Sequence, residues 1–291
     1  MQRIGIIADS HSSLTPELAR ELGVLLLPMP FTIDGRDYLE GIDLTREVFF
    51  DKLSCGANVA TSQPSPVDVT AMWDRALEAY EQVLYMPLSS GLSSSCAVAQ
   101  ALAQEEPYAG RVIVVDHGRI STPLHRFILD TLEMIESGLS AGHIRDLLEK
   151  NRDRMCIYLA VDTLEYLKKG GRITPAAAAV GTLLNIKPVL QLSTGKLEPF
   201  KKCHGFNKAK LAMLDAVRHD LNTRFADEYA RGEVHLMAAS SASPEQTRAW
   251  VAEIEAAFPG FDVLCDDLSL GVCCHTGAGA LGVGLSCKPL E

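Results

Sequence analysis

The chain has 291 residues, 47% hydrophobic and 22% charged, a globular balance with length for one large domain or two ordinary ones. Its formal net charge of −10 excludes a general nucleic-acid binder, which needs a basic face, and disfavours stable docking on anionic membranes. No run of about eighteen uncharged apolar residues is present, so no helix is expected to insert stably in a bilayer.

Arg3–Ala8 reads as a buried strand ending at Asp9-Ser10-His11-Ser12-Ser13, and Asp9 comes too early for a signal-peptide core. That gives a cytoplasmic expectation. Thr15-Pro16-Glu17 reads as an N-cap followed by Pro at the first helical position. Val24–Leu27 is a second strand limited by Pro28 and Pro30, and Leu44–Leu53 a helix with Leu44, Val48 and Phe49 on one face. Then come a helix at Val67–Glu81, a strand at Gln82–Met86, a helix at Ser94–Glu105 and a strand at Arg111–Val115. Helices near Leu124–Glu136 and Ala141–Asn151 precede a strand at Met155–Val161. Such alternation predicts an α/β protein whose N-terminal parallel sheet carries helices on both faces. Ligands of such sheets sit beyond the carboxyl ends of the strands, at Asp9–Ser13, Leu88–Ser95 and Asp116–Arg119.

The second half is less regular. A short helix at Thr163–Lys169 is capped by Gly170-Gly171, and Pro188–Leu192 with Lys196–Lys202 reads as a hairpin around Ser193-Thr194-Gly195. A long helix from Lys208, a strand at Glu233–Ala239, a helix at Pro244–Phe258 and a Gly-rich end complete the chain. A boundary near residue 160 gives two α/β domains, 1–160 and 161–291. The eight cysteines form no CxxC pair, and read as small buried hydrophobes rather than metal ligands.

Three hydroxyl-rich runs precede helices: Ser10-His11-Ser12-Ser13, Thr61-Ser62-Gln63-Pro64-Ser65-Pro66 and Ser89-Ser90-Gly91-Leu92-Ser93-Ser94-Ser95. Helix capping explains one hydroxyl in each, but the second and third run longer than capping requires. Several hydroxyls ahead of a helix start offer converging O–H and N–H donors, suited to a carboxylate or phosphate. Ser93 is not in a GxSxG elbow. Gly277–Gly282 matches GxGxxG, yet only nine residues follow, too few for a dinucleotide fold. His275 lies between apolar residues and those glycines, where it could donate to an anion, and Lys168-Lys169-Gly170-Gly171-Arg172 forms a basic turn.

In this order the segments resemble the DegV family of bacterial fatty-acid-binding proteins. The resemblance rests on Asp9-Ser10, Thr61–Ser65, Ser89–Ser93, Leu164–Ile173, Leu184-Asn185-Ile186-Lys187-Pro188 and His275–Gly282, which together span nearly the whole chain. It implies a ligand cleft between two α/β domains, a long-chain fatty acid as the bound ligand, and neither cofactor nor catalysis. It assigns the carboxylate to Thr61 and Ser93, beside Ser62, Ser94 and His275. Some members present the acid to a separate ATP-dependent fatty-acid kinase for acyl-phosphate formation in phospholipid synthesis, which makes Arg172 and position 204 docking residues. Departures from the family pattern are Ser94-Ser95 after Ser93, Asp116-His117, Thr122–Arg126, and His204 where an Arg is usual. The alternative is an enzyme acting on a phosphorylated or acyl substrate held by the same Ser/Thr loops.

Overall fold

A computed structural model describes residues 3–178, 186–192 and 197–290. It divides into two compact units, Met1–Arg152 with Pro289–Glu291, and Asp153–Lys288. In chain order the first contains β1 (Ile4–Asp9), α1 (Pro16–Glu21), β2 (Val24–Leu27), β3 (Pro30–Ile33), β4 (Arg36–Leu39), α2 (Arg46–Ser54) and β5 (Val59–Thr61). It continues with α3 (Pro66–Leu77), β6 (Gln82–Met86), α4 (Ser95–Leu102), β7 (Val112–Val114), α5 (Ser121–Glu136) and α6 (Ala141–Lys150).

The first unit holds a four-stranded sheet in the order β2-β1-β6-β7, parallel throughout. Alternation along its strands feeds two cores, as period-2 geometry requires. Ile6, Ala8, Leu84 and Met86 pack with α5 and α6 residues such as Phe127, Ile128 and Ile144. Ile7, Val83, Tyr85 and Val114 pack with Trp73 of α3 and Cys96 and Ala99 of α4. Helices therefore cover both faces. Sequence-expected signals recur where local chemistry decides: Thr15 caps α1 by accepting from Leu18 N–H at 3.1 Å, with Pro16 at the first helical position. On α2, however, Phe49 and Leu53 are buried and Val48 is exposed. The helix starts at Arg46, so its inward face follows the 49/53 spacing of one turn.

A separate antiparallel sheet, β4-β3-β5, was not legible in the sequence. Its strands are three or four residues long and Pro30 opens one of them, so they give almost no periodic signal.

The second unit contains β8 (Met155–Ala160), α7 (Glu165–Gly170), α8 (Pro175–Ala178), β9 (Ile186–Leu192), β10 (Leu197–His204), α9 (Phe206–Asn222) and α10 (Ala226–Ala230). It ends with β11 (Val234–Ser240), α11 (Pro244–Ala257), β12 (Val263–Asp267), α12 (Leu270–Thr276) and β13 (Leu281–Cys287). Its six-stranded sheet runs β10-β9-β8-β13-β11-β12, and only the β11–β12 pair is parallel. Tyr158, Val189, Leu236, Val283 and Leu285 pack against Met213 and Val217 of α9 and Trp250 and Ile254 of α11.

Two expectations change here. The strand at Met155–Val161 does not extend the parallel sheet: β8 lies in the second sheet between antiparallel β9 and β13, and the units divide after Arg152 rather than near 160. The apolar run fixes a strand but not its partner. The Gly-rich end is not loop alone, because Leu281–Cys287 is a fully buried strand. Gly284 is needed there, since a Cβ would lie 2.3 Å from Cys156 O of β8. The β9–β10 hairpin is present, whereas Ser193-Thr194-Gly195 and Leu184-Asn185 lie outside the described residues.

Candidate functional site

β1, β6 and β7 are parallel neighbours, so the turns after Asp9, Met86 and Val114 leave one edge of the sheet. Two buried or half-buried carboxylates organise them. Asp9 is fully buried, and its two oxygens accept from His11 N–H at 3.0 Å and Leu88 N–H at 2.6 Å. Burial pushes its pKa up to about 7, against the lowering effect of those N–H bonds and with a smaller push from Glu40. Asp116 accepts from the Ser90 hydroxyl at 2.9 Å and from Arg152 Nη1 at 3.0 Å. Ser10 extends this scaffold, accepting from Met29 N–H and donating to Glu40 Oε2 at 2.9 Å.

Held at Leu88 and Ser90, the Leu88–Ser95 segment folds tightly, with the N–H groups of Leu92 and Ser93 both donating to Ser89 O. Ser93 Oγ then accepts from Ser95 N–H at 3.2 Å and from the Ser95 hydroxyl at 3.0 Å. With two donors on its oxygen, the half-buried Ser93 keeps its own proton to donate. Exposed Ser94 does not cap α4 with its side chain; its hydroxyl donates to Gln63 Oε1 at 2.9 Å instead. That bond joins the Thr61-Ser62-Gln63 turn to the serine loop. Thr61 is half-buried at the end of β5, and Ser62 follows it exposed. Ser65 and Pro66 start α3 in the expected way, the Ser65 oxygen accepting from Asp68 N–H.

Thr61, Ser62, Ser93 and Ser94 are thus gathered by one hydrogen bond that sequence reading did not anticipate. Gln63 was inside the quoted motif, but no spacing rule predicts its partner. The arrangement is a set of donors. Ser93 Oγ is bonded to Ser95, not to an imidazole of the kind that activates a nucleophile. Among the described residues, no group of three or more His, Cys, Asp or Glu is arranged to hold a metal ion.

The departing residues are internal. His117 is fully buried, its Nδ1 accepting from Arg119 N–H, and burial followed by the Arg119 charge pushes its pKa down to about 3. Thr122, Leu124 and His125 are buried in the first turns of α5.

In the second unit, α7 ends at Gly171, whose φ of 67° is the left-handed conformation of a C-cap. His275, near the end of α12, lies against this turn: a Cβ on Gly170 would sit 2.0 Å from its Nδ1. A Cβ on Gly277 would likewise sit 2.8 Å from the Tyr166 ring. Glycines thus let α7 and α12 approach. Burial, then the Arg172 charge, pushes the His275 pKa down to about 4, so it is a neutral donor or acceptor near neutral pH. Ser241 fixes the following loop, donating to Gly277 O at 2.7 Å and accepting from Ala280 N–H at 2.9 Å.

Arg172 donates from Nη1 to Gly170 O, and its own carbonyl accepts from Leu197 N–H, at the start of β10. His204 is exposed at the other end of β10. Seven residues at about 3.3 Å each separate the two by roughly 20 Å along the strand, so they do not form one cluster.

Residues 3–288 match the DegV family, described as one of uncharacterised proteins. The chain belongs to the DegV family. A DegV domain-containing protein of Deinococcus radiodurans is 32% identical over 289 residues, covering 99% of both chains. One from Clostridium perfringens is 29% identical over 97% of both. Among solved structures, a DegV family protein from Thermus thermophilus, described as fatty-acid binding, superposes with a TM-score of 0.86. It has 33% identity, over 98% of this chain and 99% of that one. A stearic-acid-binding protein from Eubacterium ventriosum has a TM-score of 0.85 and covers 99% of each chain; at 23% identity it shows the shared DegV fold alone. No helix among the described residues is long and apolar enough to cross a membrane.

Proposed function

We propose that this DegV protein is a cytoplasmic carrier for one long-chain fatty acid, with Thr61, Ser62, Ser93 and Ser94 receiving the carboxylate and His275 as the candidate ligand-binding residue of the second unit. The observation that carries the reading is the Ser94–Gln63 bond, which unites two hydroxyl loops beside an available Ser93 proton. The Thermus relative's described fatty-acid binding, at 33% identity, supports it. Burying about sixteen carbons at ~0.8 kcal/mol per methylene yields roughly 10–12 kcal/mol gross. Association costs of at least ~4 kcal/mol leave at most roughly 6–8 kcal/mol, a micromolar affinity from the tail alone. The head group then needs only orientation.

The protein catalyses nothing by itself in this reading. It presents the carboxylate to an ATP-dependent fatty-acid kinase, with Arg172 and His204 as docking residues. Solvent extraction and mass spectrometry of the purified chain should return about one fatty acid per chain. An empty chain that also fails to bind added palmitate or oleate would sink the carrier reading.

A further inference from the structure

The serine loop has no helix or strand of its own until α4 begins, so something else must hold its entry. That entry is Leu88, whose N–H is held at 2.6 Å by a carboxylate 79 residues earlier in the chain. Both oxygens of Asp9 are committed to backbone N–H groups, one from each of two turns that leave the sheet edge. A carboxylate is the side chain that suits this place, because it accepts on both oxygens and donates on neither. An amide of the same shape would point an N–H₂ group at one of the two N–H donors.

We propose that Asp9 is the positioning residue of the hydroxyl cradle: as a carboxylate it locks Leu88 and so aims Ser93, and on protonation it releases the loop. The proposal rests on the carrier reading for its meaning, but its first test does not need a fatty acid.

The groups facing Asp9 are few. His11 Nδ1 lies 3.8 Å from Oδ1, and Glu40 acts from the end of β4. The Tyr85 phenol and the Cys96 thiol, from β6 and α4, feel its charge. Burial pushes Tyr85 well above its ordinary value and Cys96 to about 12, so both stay neutral between pH 5 and 8. Asp9 itself is raised to about 7 and changes charge within that window. His11 is the competing titrant and needs its own control.

The test is amide hydrogen exchange of the intact, delipidated protein, expressed as protection factors so that the intrinsic pH dependence of exchange drops out. Protection of Leu88 and the following loop should rise about tenfold or more from pH 5.5 to 8 in the parent. It should be low and flat in Asp9→Asn, and keep the parent profile in His11→Gln, while the β6 amides stay protected in all three. Palmitate affinity of Asp9→Asn at pH 8 should fall by a similar factor. A flat parent profile, a profile that follows His11, or an Asp9→Asn loop as protected as the parent's would overturn the inference. If Asp9→Asn does not fold, the parent and His11→Gln profiles still decide. If the loop behaves as expected but no fatty acid binds at any pH, the carrier reading fails and the Asp9 lock stands.

Discussion

The two units build polar sites in different ways. In the first, parallel strands deliver their turns to one edge of a sheet, and side-chain hydrogen bonds from Asp9, Asp116, Gln63 and Ser94 shape those turns. In the second, the sheet is mostly antiparallel, and His275 reaches Gly170 because two missing Cβ atoms let α7 and α12 approach. One site is held by directional bonds that pH and single-atom changes can undo. The other is held by close packing, which does not tolerate added volume.

The comparison sharpens first on pH. Asp9 is raised to about 7, so its contribution to stability is full below about pH 4 and is lost as pH rises through 7. His117 and His275, lowered to about 3 and 4, run the other way: their contribution is present above about pH 6.5 and is lost as pH falls. Subtracting Asp9→Asn from the parent isolates Asp9. The difference in unfolding free energy between the two proteins should change by about 4 kcal/mol from pH 4 to pH 8. Denaturant titrations of both across that range measure it, and parallel curves would remove Asp9 as a buried, titrating group.

Next comes volume. Gly284→Ala places a Cβ against the Cys156 carbonyl oxygen, which cannot rotate away, and should cost about 3 kcal/mol in urea unfolding. Gly142→Ala, on α6 with open space around it, should be neutral or stabilise by up to about 1 kcal/mol. Equal effects at the two positions would mean that the Cys156 carbonyl does not constrain position 284.

Removing single hydroxyls from the cradle should act on binding rather than on folding. Thr61→Ala and Ser93→Ala are each expected to weaken palmitate binding by about 1–3 kcal/mol with melting temperatures nearly unchanged. Calorimetric titration tests this, and parent-like affinity in both variants would put the carboxylate elsewhere. The smallest effect concerns His204. Arginine there would offer a planar fork to an acidic or nucleotide-bearing partner. His204→Arg should therefore raise kinase-coupled turnover a few-fold and leave fatty-acid affinity unchanged, and equal turnover would remove position 204 from docking.

What could be read in advance follows the same division. The limits of β6, the Thr15 cap on α1 and the Gly171 cap on α7 were legible because each is written in neighbouring residues. The carboxyl-edge loops were legible through topology. Hidden features were long-range choices: β8 joining the second sheet, β13 built on glycines, and Gln63 meeting Ser94 across 31 positions. Asp9 was visible as the end of a strand, but its acceptance from Leu88 depends on which strands are neighbours. The expectation for His275 rested on the glycines that follow it, whereas the glycine its imidazole packs against is Gly170, about a hundred positions earlier in the chain.

After the second unit is complete, Pro289 and Leu290 return to the first. There Asn151 Nδ2 donates to Leu290 O at 3.1 Å, and Leu290 N–H donates back to Asn151 Oδ1 at 3.3 Å. This clasp spans 139 positions. Closing so long a flexible loop would cost about 4 kcal/mol in chain entropy, before any constant for bringing the ends together. The folded second unit removes most of that cost, because β8 and β13 are antiparallel neighbours and Cys287 N–H already donates to Arg154 O. During synthesis the order is therefore set: the β8–β13 pairing precedes the clasp, and a chain stopped before residue 289 leaves the Asn151 side chain with only its bond to Leu147 O.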